Sequence, residues 1–415
     1  MTREMKNSGI DWIGQIPADW EITKHKYVMY KVKDICEKYN NEDIISLTMG
    51  GVIKRDLENP TGKMPASFDG YQRVYAGNLL LCLFDIDVTP RCVGYIKDSG
   101  LTSPAYSQYV VNNGNARYYD YLLRMIDDNK CFLHLSKNLR SSLTDENFSA
   151  IQTVAPKEEE QTKIADFLDS KVSEIDKMIE ETKSSIENYK EYKQSIITEA
   201  VTKGLNKNVQ MKDSGIDWIG EIPADWEVLK TSLLYRENVR NYEEGDIPLS
   251  LSQVDGLIAT EDMKENSLKT SSYENWKKVC LGDLVLNRFK GHLGVLFNAT
   301  ISGMVSFHYG VYEPQRELVG KYYEYMFHSD CYRAILAGKS NGMTVGLQNL
   351  SNENFYSVKS LYPPVETQKK IVEFLDRKCI EIDNLISEKE ALVSNLEEYK
   401  KSLIYEYVTG KKSVL

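Results

Sequence analysis

Polar and basic side chains beside glycines are the residues of this chain best suited to touch a nucleic acid. The segment from Ser46 to Arg55 contains a Gly-Gly pair, and the segment from Asn287 to His292 contains a single glycine. Arg and Lys can reach guanine, and Asn or Gln can reach adenine, through paired hydrogen bonds, while other contacts go to phosphates. The candidate DNA-contacting side chains are Thr48, Lys54, Arg55, Arg73, Arg91, Lys137, Arg140, Arg288, Lys290, His292, Lys339, Asn341, Thr344 and Gln348. The alternative interpretation is that these are ordinary solvated surface groups.

Signatures of catalysis are nearly absent. Gly338-Lys339-Ser340 resembles the end of a phosphate-binding loop, but the required earlier glycine is Arg333. None of the five histidines lies at zinc-ligand spacing, and we predict no metal site and no cofactor. A scattered set such as Asp56, Glu58 and Lys63 leaves a metal-dependent nuclease as a remote alternative. We therefore expect a chain that is not an enzyme.

The overall composition is that of a folded cytoplasmic protein. The 415 residues are 42% hydrophobic and 27% charged, and no run is long and apolar enough to suggest a membrane span. Seven scattered cysteines without a Cys-x-x-Cys pattern indicate reduced thiols. The 51 basic and 61 acidic residues give a net charge of −10, which at first argues against DNA, because duplex binding depends on phosphate neutralisation.

The elements that position the candidate residues are repeated. Residues Ser8–Ile22 match Ser214–Val228 at thirteen of fifteen positions, and each of these leading motifs contains Ile-Pro-Ala-Asp-Trp-Glu. A second repeated block follows about 130 residues later, in which Pro156 and Gln161 correspond to Pro363 and Gln368. The chain is thus a tandem duplication of about 207 residues. We expect the tryptophans of the leading motifs to pack in the interior, with subunit docking as the alternative: Trp12, Trp20, Trp218 and Trp226.

Between the repeated blocks lie two bodies, residues 23–142 and 231–349, in which we find no alignable similarity. Two different bodies on matched frames are more typical of recognition than of catalysis. The segment of residues 1–156 has a net charge of −1, and residues 208–364 have −5. The first body could therefore present a basic face, while the second needs a sharply local patch or a partner that holds phosphates.

A long helix follows each body. From Gln161 to about Lys203 there is no Pro or Gly, and apolar residues recur at heptad spacing in both copies. The predicted spacer seam comprises Leu168, Val172, Ile175, Ile179, Ile186, Lys193, Leu375, Ile382, Ile386, Val393 and Lys400. The two seam lysines could fix the register or extend to the solvent at its edge. We expect the helices to pair with each other, antiparallel, although each could instead pack on its own body or on a partner's helix.

Together these motifs resemble the specificity subunit of type I restriction–modification enzymes. The resemblance rests on Ile16–Glu21 and Pro156–Leu168 and on their counterparts Ile222–Glu227 and Pro363–Leu375. It implies that each body is a target-recognition domain that reads one half of a bipartite, asymmetric site in double-stranded DNA. It also implies that the helices act as a spacer and dock two modification (methyltransferase) subunits, with restriction (motor-nuclease) subunits in the full complex. S-adenosylmethionine, ATP and magnesium would belong to those other subunits.

The predicted fold class is α+β, with two mixed α/β target-recognition domains, a pair of long antiparallel coiled-coil helices and a pseudo-two-fold internal repeat. The predicted domains are residues 1–156 and 208–364 for recognition, and residues 157–207 and 365–415 for the spacer helices. The main functional alternative is a pseudo-symmetric scaffold that binds two protein partners without reading DNA.

Overall fold

The fold comes from a computed structural model that describes residues 3–59, 64–136, 141–253, 255–263, 273–340 and 349–414, and the backbone alone at residue 292. The chain divides into two units. Unit 1 comprises Met1–Lys183 and Ala391–Leu415, and unit 2 comprises Ser184–Glu390. Two long helices, α4 (Glu158–Lys203) and α9 (Val365–Val408), each contribute one part to either unit.

Unit 1 begins with the first leading motif and continues into the first body. Its strands are β1 (Met5–Asn7), β2 (Gln15–Pro17), β3 (Glu21–Lys24), β4 (Met29–Val32), β5 (Ile45–Thr48), β6 (Gly51–Lys54), β7 (Gln72–Val74), β8 (Leu79–Leu81), β9 (Val93–Tyr95), β10 (Gly100–Thr102), β11 (Ser107–Val111) and β12 (Gln152–Ala155). Its shorter helices are α1 (Ala116–Asp128), α2 (Cys131–Leu135), α3 (Asp145–Ala150) and a 3₁₀ helix at His25–Tyr27.

Unit 2 repeats this plan. Its strands are β13 (Met211–Asp213), β14 (Glu221–Pro223), β15 (Glu227–Lys230), β16 (Tyr235–Glu237), β17 (Leu249–Ser252), β18 (Gly256–Ala259), β19 (Lys277–Val279), β20 (Leu284–Asn287), β21 (Leu296–Asn298), β22 (Gly303–Val305), β23 (Tyr309–Pro314) and β24 (Lys359–Tyr362). Its shorter helices are α5 (Thr231–Leu234), α6 (Gly320–His328), α7 (Asp330–Lys339), α8 (Asn352–Tyr356) and 3₁₀ helices at Thr260–Asp262 and Arg288–Leu293.

The two bodies share one sheet topology although their sequences differ. The four-stranded sheet of unit 1 has the order β4-β11-β8-β9, and that of unit 2 has the order β16-β23-β20-β21, with antiparallel pairing throughout. The two-stranded sheets also correspond: β1-β2 to β13-β14, β3-β12 to β15-β24, β5-β6 to β17-β18, and β7-β10 to β19-β22. The duplication therefore extends through the bodies, where little sequence similarity remains.

A tyrosine motif corrects the prediction that the bodies have no alignable similarity. Helix α1 contains Tyr118-Tyr119-Asp-Tyr121, and helix α6 contains Tyr322-Tyr323-Glu-Tyr325 at an offset of 204. The Tyr118 hydroxyl donates to the carbonyl of Val408 over 2.9 Å, and the Tyr322 hydroxyl donates to the carbonyl of Val201 over the same distance. In both units the motif provides a hydrogen-bond donor for a carbonyl near the carboxyl end of a long helix, where carbonyls have no partner within the helix.

Within each unit the long helices run antiparallel. In unit 1, Phe167 contacts Tyr407 with ring centroids 4.4 Å apart, and Lys400 forms an ion pair with Asp176 at 2.6 Å. In unit 2, Lys193 pairs with Asp383 at 2.6 Å. The residue numbers rise along one helix as they fall along the other, which defines the antiparallel direction. Antiparallel pairing of the two helices within the chain is therefore confirmed over the alternatives.

The seam residues lie where the heptad places them. Seven of the predicted positions are buried: Leu168, Val172, Ile175, Ile179, Ile186, Leu375 and Ile382. Ile386, Val393, Lys193 and Lys400 are partly exposed. The two lysines occupy equivalent positions, as do their partners Asp176 and Asp383, so each crossing carries the same ion pair. Each seam lysine thus reaches the edge of the seam, where it pairs with an aspartate of the other helix.

A buried histidine distinguishes unit 1 from unit 2. His25 is fully buried, its Nδ1 donates to the carbonyl of Phe148 over 3.2 Å, and its ring lies 4.6 Å from the Phe148 ring. Burial lowers the pKa of His25 from 6.5 to about 4, and the hydrogen bond to Phe148 opposes this only in part. The equivalent residue of unit 2, Thr231, does not titrate and bonds the carbonyl of Val358.

We predict that unit 1 loses stability as the pH falls from about 6.5 toward about 4. The folded state holds His25 neutral. The contribution of His25 to folding stability is therefore complete above the pKa of the histidine in the unfolded chain, and it is lost as protons bind that histidine. At pH 5 the loss is about 2 kcal/mol. Urea unfolding of wild type and His25→Leu at pH 7 and pH 5 measures it. An equal pH dependence in the two proteins would contradict the assignment.

The fold class predicted from the sequence is confirmed: two mixed α/β bodies, two long antiparallel helices and an internal repeat. Within the described part of the chain, no helix is long and apolar enough to cross a membrane. The same residues contain no group of three or more His, Cys, Asp or Glu side chains placed to hold a metal ion. All seven cysteines carry free thiols.

Candidate nucleic-acid interface

The first glycine-punctuated segment forms the hairpin of β5 and β6. Gly51 has a φ of +109°, a conformation that glycine adopts without strain, and the Thr48 hydroxyl donates to its carbonyl over 3.0 Å. The turn exposes Met49. The hairpin therefore presents a short, closed tip in which Thr48 is oriented by the turn itself.

Thr48 and Arg91 line the same cavity. This cavity of about 290 Å³ also includes Met49, Phe84 and Val88. Arg91 is only 14% exposed and pairs with Asp128 at 2.8 Å. Since a buried guanidinium needs its carboxylate, the first role of Arg91 is to anchor the loop that carries Phe84 and Val88.

Two other candidate cations of body 1, Lys54 and Arg73, face carboxylates. Lys54 pairs with Asp43 at 2.7 Å and, with Arg55, lines a second cavity of about 490 Å³. Arg73 lies 3.4 Å from Glu42 and 3.7 Å from Asp34. Pairs at this exposure contribute little to stability, so Lys54 could exchange its carboxylate for a phosphate at small cost. These side chains are suited to conditional rather than permanent phosphate contacts.

In body 2, Arg288 lies inside a polar network. Its guanidinium donates to Glu237 over 2.7 Å and to the side-chain oxygen of Asn352 over 2.8 Å, and Lys277 also pairs with Glu237 at 2.9 Å. Burial would raise the pKa of Glu237, but the hydrogen bonds from Lys277 and Asn352 outweigh it and lower that pKa. Glu237 therefore stays charged, and Arg288 is held as its counter-ion.

Lys290 and Lys339 lie in more open surroundings. Lys290 is exposed beside the exposed Phe289, and Phe289 lies 5.1 Å from the ring of His308. Lys339, the last residue of α7, donates to the Ser357 hydroxyl over 2.8 Å. Lys137, Arg140, Asn341, Thr344 and Gln348 lie outside the described residues, as does the side chain of His292.

The polar network of Arg288 has a counterpart in unit 1 with different charges. Tyr109 and Lys31 both contact Asp145, and the corresponding residues of unit 2 are Tyr312, Glu237 and Asn352. The tyrosine is kept, whereas the lysine is replaced by a glutamate, and this glutamate is what recruits Arg288. The two tyrosines lie 203 residues apart whereas Asp145 and Asn352 lie 207 apart, so a search at one fixed repeat offset could not have identified this position.

The long helices carry exposed apolar residues at equivalent positions. In unit 1, Met178 and Tyr399 are about half exposed. In unit 2, their counterparts Leu385 and Tyr192 are 39% and 55% exposed. These residues flank the seam on the side opposite the charged edge, where Lys183 pairs with Glu397 at 3.3 Å in unit 1. The heptad pattern does not reveal these residues, because they lie outside the seam rows.

The fold defines a protein with two bodies of one topology on a repeated helical frame. No protein-family model matches the chain. It is 24% identical, over 96% of its length and 95% of the relative, to a protein of Methanocaldococcus jannaschii named provisionally as the specificity subunit of type I restriction enzyme MjaX.

Two solved structures share the fold. One is a chain from work on complex assembly and conformational transition of the type I restriction–modification system, with a TM-score of 0.67, 12% identity and coverage of 96% of this chain and 99% of that chain. The other is the HsdS subunit from Thermoanaerobacter tengcongensis, with a TM-score of 0.52, 13% identity and coverage of 96% and 98%. The predicted resemblance to type I specificity subunits is thereby confirmed.

Proposed function

We propose that this chain is the DNA-recognition subunit of a type I restriction–modification complex and has no catalytic activity of its own. Each body would read one half of a bipartite, asymmetric site in double-stranded DNA. The observation that carries this proposal is the pairing of one topology with two unrelated sets of surface side chains. A repeated frame preserves geometry, while the differing surfaces allow two different half-sites.

The side chains proposed to contact DNA differ in exposure and in whether they are held in ion pairs within the chain. Thr48, Lys54 and Lys290 are placed on a hairpin tip or an open surface. Arg91 and Arg288 are held in intramolecular ion pairs, so we assign them to positioning the loops. Arg55, Arg73, Lys339 and the candidates outside the described residues remain proposed contacts.

The acidic net charge then calls for partners. Four of the candidate cations face carboxylates, so this chain alone would neutralise few phosphates. We propose that two methyltransferase subunits dock on the long helices, one using Met178 and Tyr399 and the other using Tyr192 and Leu385. Two equivalent apolar surfaces of this kind favour two copies of one partner. Restriction subunits would join this assembly.

Co-expression of the full chain with the type I methyltransferase subunit of its source genome tests the proposal. We expect a complex with two methyltransferase copies by native mass spectrometry. Modification sequencing should then show a two-part methylated motif that is absent without this chain. Thr48→Ala should relax one half of that motif and Lys290→Ala the other, because each residue lies in a different body.

A matched pair of variants tests the docking surface. Met178→Glu should reduce the methyltransferase copies from two to one, because it places a charge on the apolar surface. The control Lys177→Glu changes the neighbouring, well-exposed residue and should leave both copies bound. A complex that forms without any methylated motif would favour the scaffold alternative instead.

A further inference from the structure

An exposed phenylalanine occupies the same place in both bodies. In unit 1, Leu143 donates its backbone N–H to the carbonyl of Leu83 over 2.8 Å, and in unit 2, Leu350 donates to the carbonyl of Arg288 over 3.0 Å. Leu143 and Leu350 are equivalent in the repeat, so Leu83 corresponds to Arg288. The residues that follow, Phe84 and Phe289, therefore correspond as well, although the loops around them differ.

Both rings are held at the surface. Phe84 is 41% exposed and Phe289 is 45% exposed, whereas the apolar residues of the strands before them are buried. Burying a phenylalanine stabilises a protein, so an exposed ring at the same point of two divergent bodies is not explained by folding. A single exposed apolar residue is ordinary, but an equivalent pair indicates a shared use.

Each ring belongs to an apolar group with polar residues beside it. Phe84 lines a cavity with Met49 and Val88, and Thr48 and Arg91 line that same cavity. Phe289 forms a cluster with His308 and with Phe307, whose ring lies 3.9 Å from that of His308. Lys290 is exposed next to this cluster. A flat apolar face matches a nucleobase that stacks on it, and in body 2 the exposed Lys290 can pair with a neighbouring phosphate.

We propose that Phe84 and Phe289 each stack on a nucleobase at an opened base step, one in each half-site. This inference rests on the proposed function and adds to it how the bodies grip DNA. An apolar ring inserted at a step partly unstacks it, and pyrimidine–purine steps yield most readily. Part of the selectivity of each body would then come from the deformability of a step rather than from hydrogen bonds.

The test uses the assembled methyltransferase and a duplex that carries the methylated motif found for wild type. Fluorescence anisotropy measures affinity, and permanganate oxidation reports unstacked thymines within the intact motif and its flanks. Phe84→Ala and Phe289→Ala should each weaken binding about tenfold. Each should also abolish permanganate reactivity in its own half-site alone. Phe84→Trp and Phe289→Trp should retain both properties, because indole also stacks.

Leu281→Ala is the matched control, since Leu281 is 66% exposed and lies in the turn before β20 rather than after it. It should bind like wild type. Alanine variants that bind within about twofold of wild type and keep the reactive thymines would overturn the proposal while leaving DNA recognition intact. Loss of methyltransferase copies from these variants would assign the rings to a protein interface instead. A wild-type complex that methylates no motif would instead reject the proposed function itself.

Discussion

Replacing Trp20 or Trp226 with alanine should destabilise the protein by about 4 kcal/mol, the largest effect that we expect from any single substitution in the repeated frame. Each indole is 1% exposed. Trp20 packs against Gly410, just after the end of α9, and Trp226 packs against Gly204, just after the end of α4. Each leading motif is therefore closed onto the helix end that belongs to the other copy of the repeat.

Gly410 and Gly204 explain why the structure cannot compensate for the loss of either indole. A Cβ at Gly410 would lie 2.5 Å from Pro17 and 2.9 Å from Trp20, and both glycines have a positive φ. The helix end thus approaches the indole at backbone distance, and the backbone cannot collapse into the space that alanine would leave. The Trp20 indole nitrogen also donates to Glu160 over 3.0 Å, and Trp20→Ala would remove this bond.

Trp218→Ala is the matched control, because Trp218 is 38% exposed and contacts Tyr332 edge-on at 4.9 Å. We expect it to cost about 1 kcal/mol. Denaturant unfolding followed by circular dichroism measures all three variants, and the two units could unfold in separate transitions. Similar losses of stability for Trp218→Ala and Trp226→Ala would contradict the expectation that the buried indole stabilises the protein more than the partly exposed one.

The frame of this protein could be predicted from sequence because its signals are local. The heptad spacing identified buried residues such as Leu168 and Leu375, and Pro156 correctly preceded a helix that begins at Glu158. The predicted packing of the leading tryptophans was also right for Trp20 and Trp226, whereas Trp218 is more exposed. Such patterns repeat within one or two turns, so tertiary contacts do not need to be known.

The partners of the candidate cations could not be predicted, because they are remote in sequence. Arg288 meets Glu237 only because β16 and β20 both pair with β23, and Arg91 meets Asp128 only because α1 ends beside it. The common topology of the two bodies could not be predicted either, because many different apolar sequences are compatible with the same sheet. What persists is the Tyr118 and Tyr322 motif, whose hydroxyls have fixed partners.

The second large effect should follow from removing the glutamine near the start of either long helix. Gln161 and Gln368 are buried to 3% and 0% exposure. Each side chain bridges two backbone groups. Gln161 accepts from Asn115 N and donates to the Pro156 carbonyl, and Gln368 accepts from Val319 N and donates to the Pro363 carbonyl, all over 2.8 Å. They tie the start of each helix to the start of the tyrosine helix beside it.

Gln161→Leu and Gln368→Leu should each cost about 3 kcal/mol, because leucine keeps the volume but leaves a buried N–H and a buried carbonyl without partners. Gly114 shows how closely the site is packed, since a Cβ there would lie 2.5 Å from the side-chain amide oxygen of Gln161. The control is Gln194→Leu on α4. Among the described residues the buried side-chain oxygen of Gln194 has no hydrogen-bond partner, so we expect leucine there to leave the stability unchanged or to raise it. Equal losses in the three variants by urea unfolding would mean that helix propensity, rather than the bridge, determines stability at these positions.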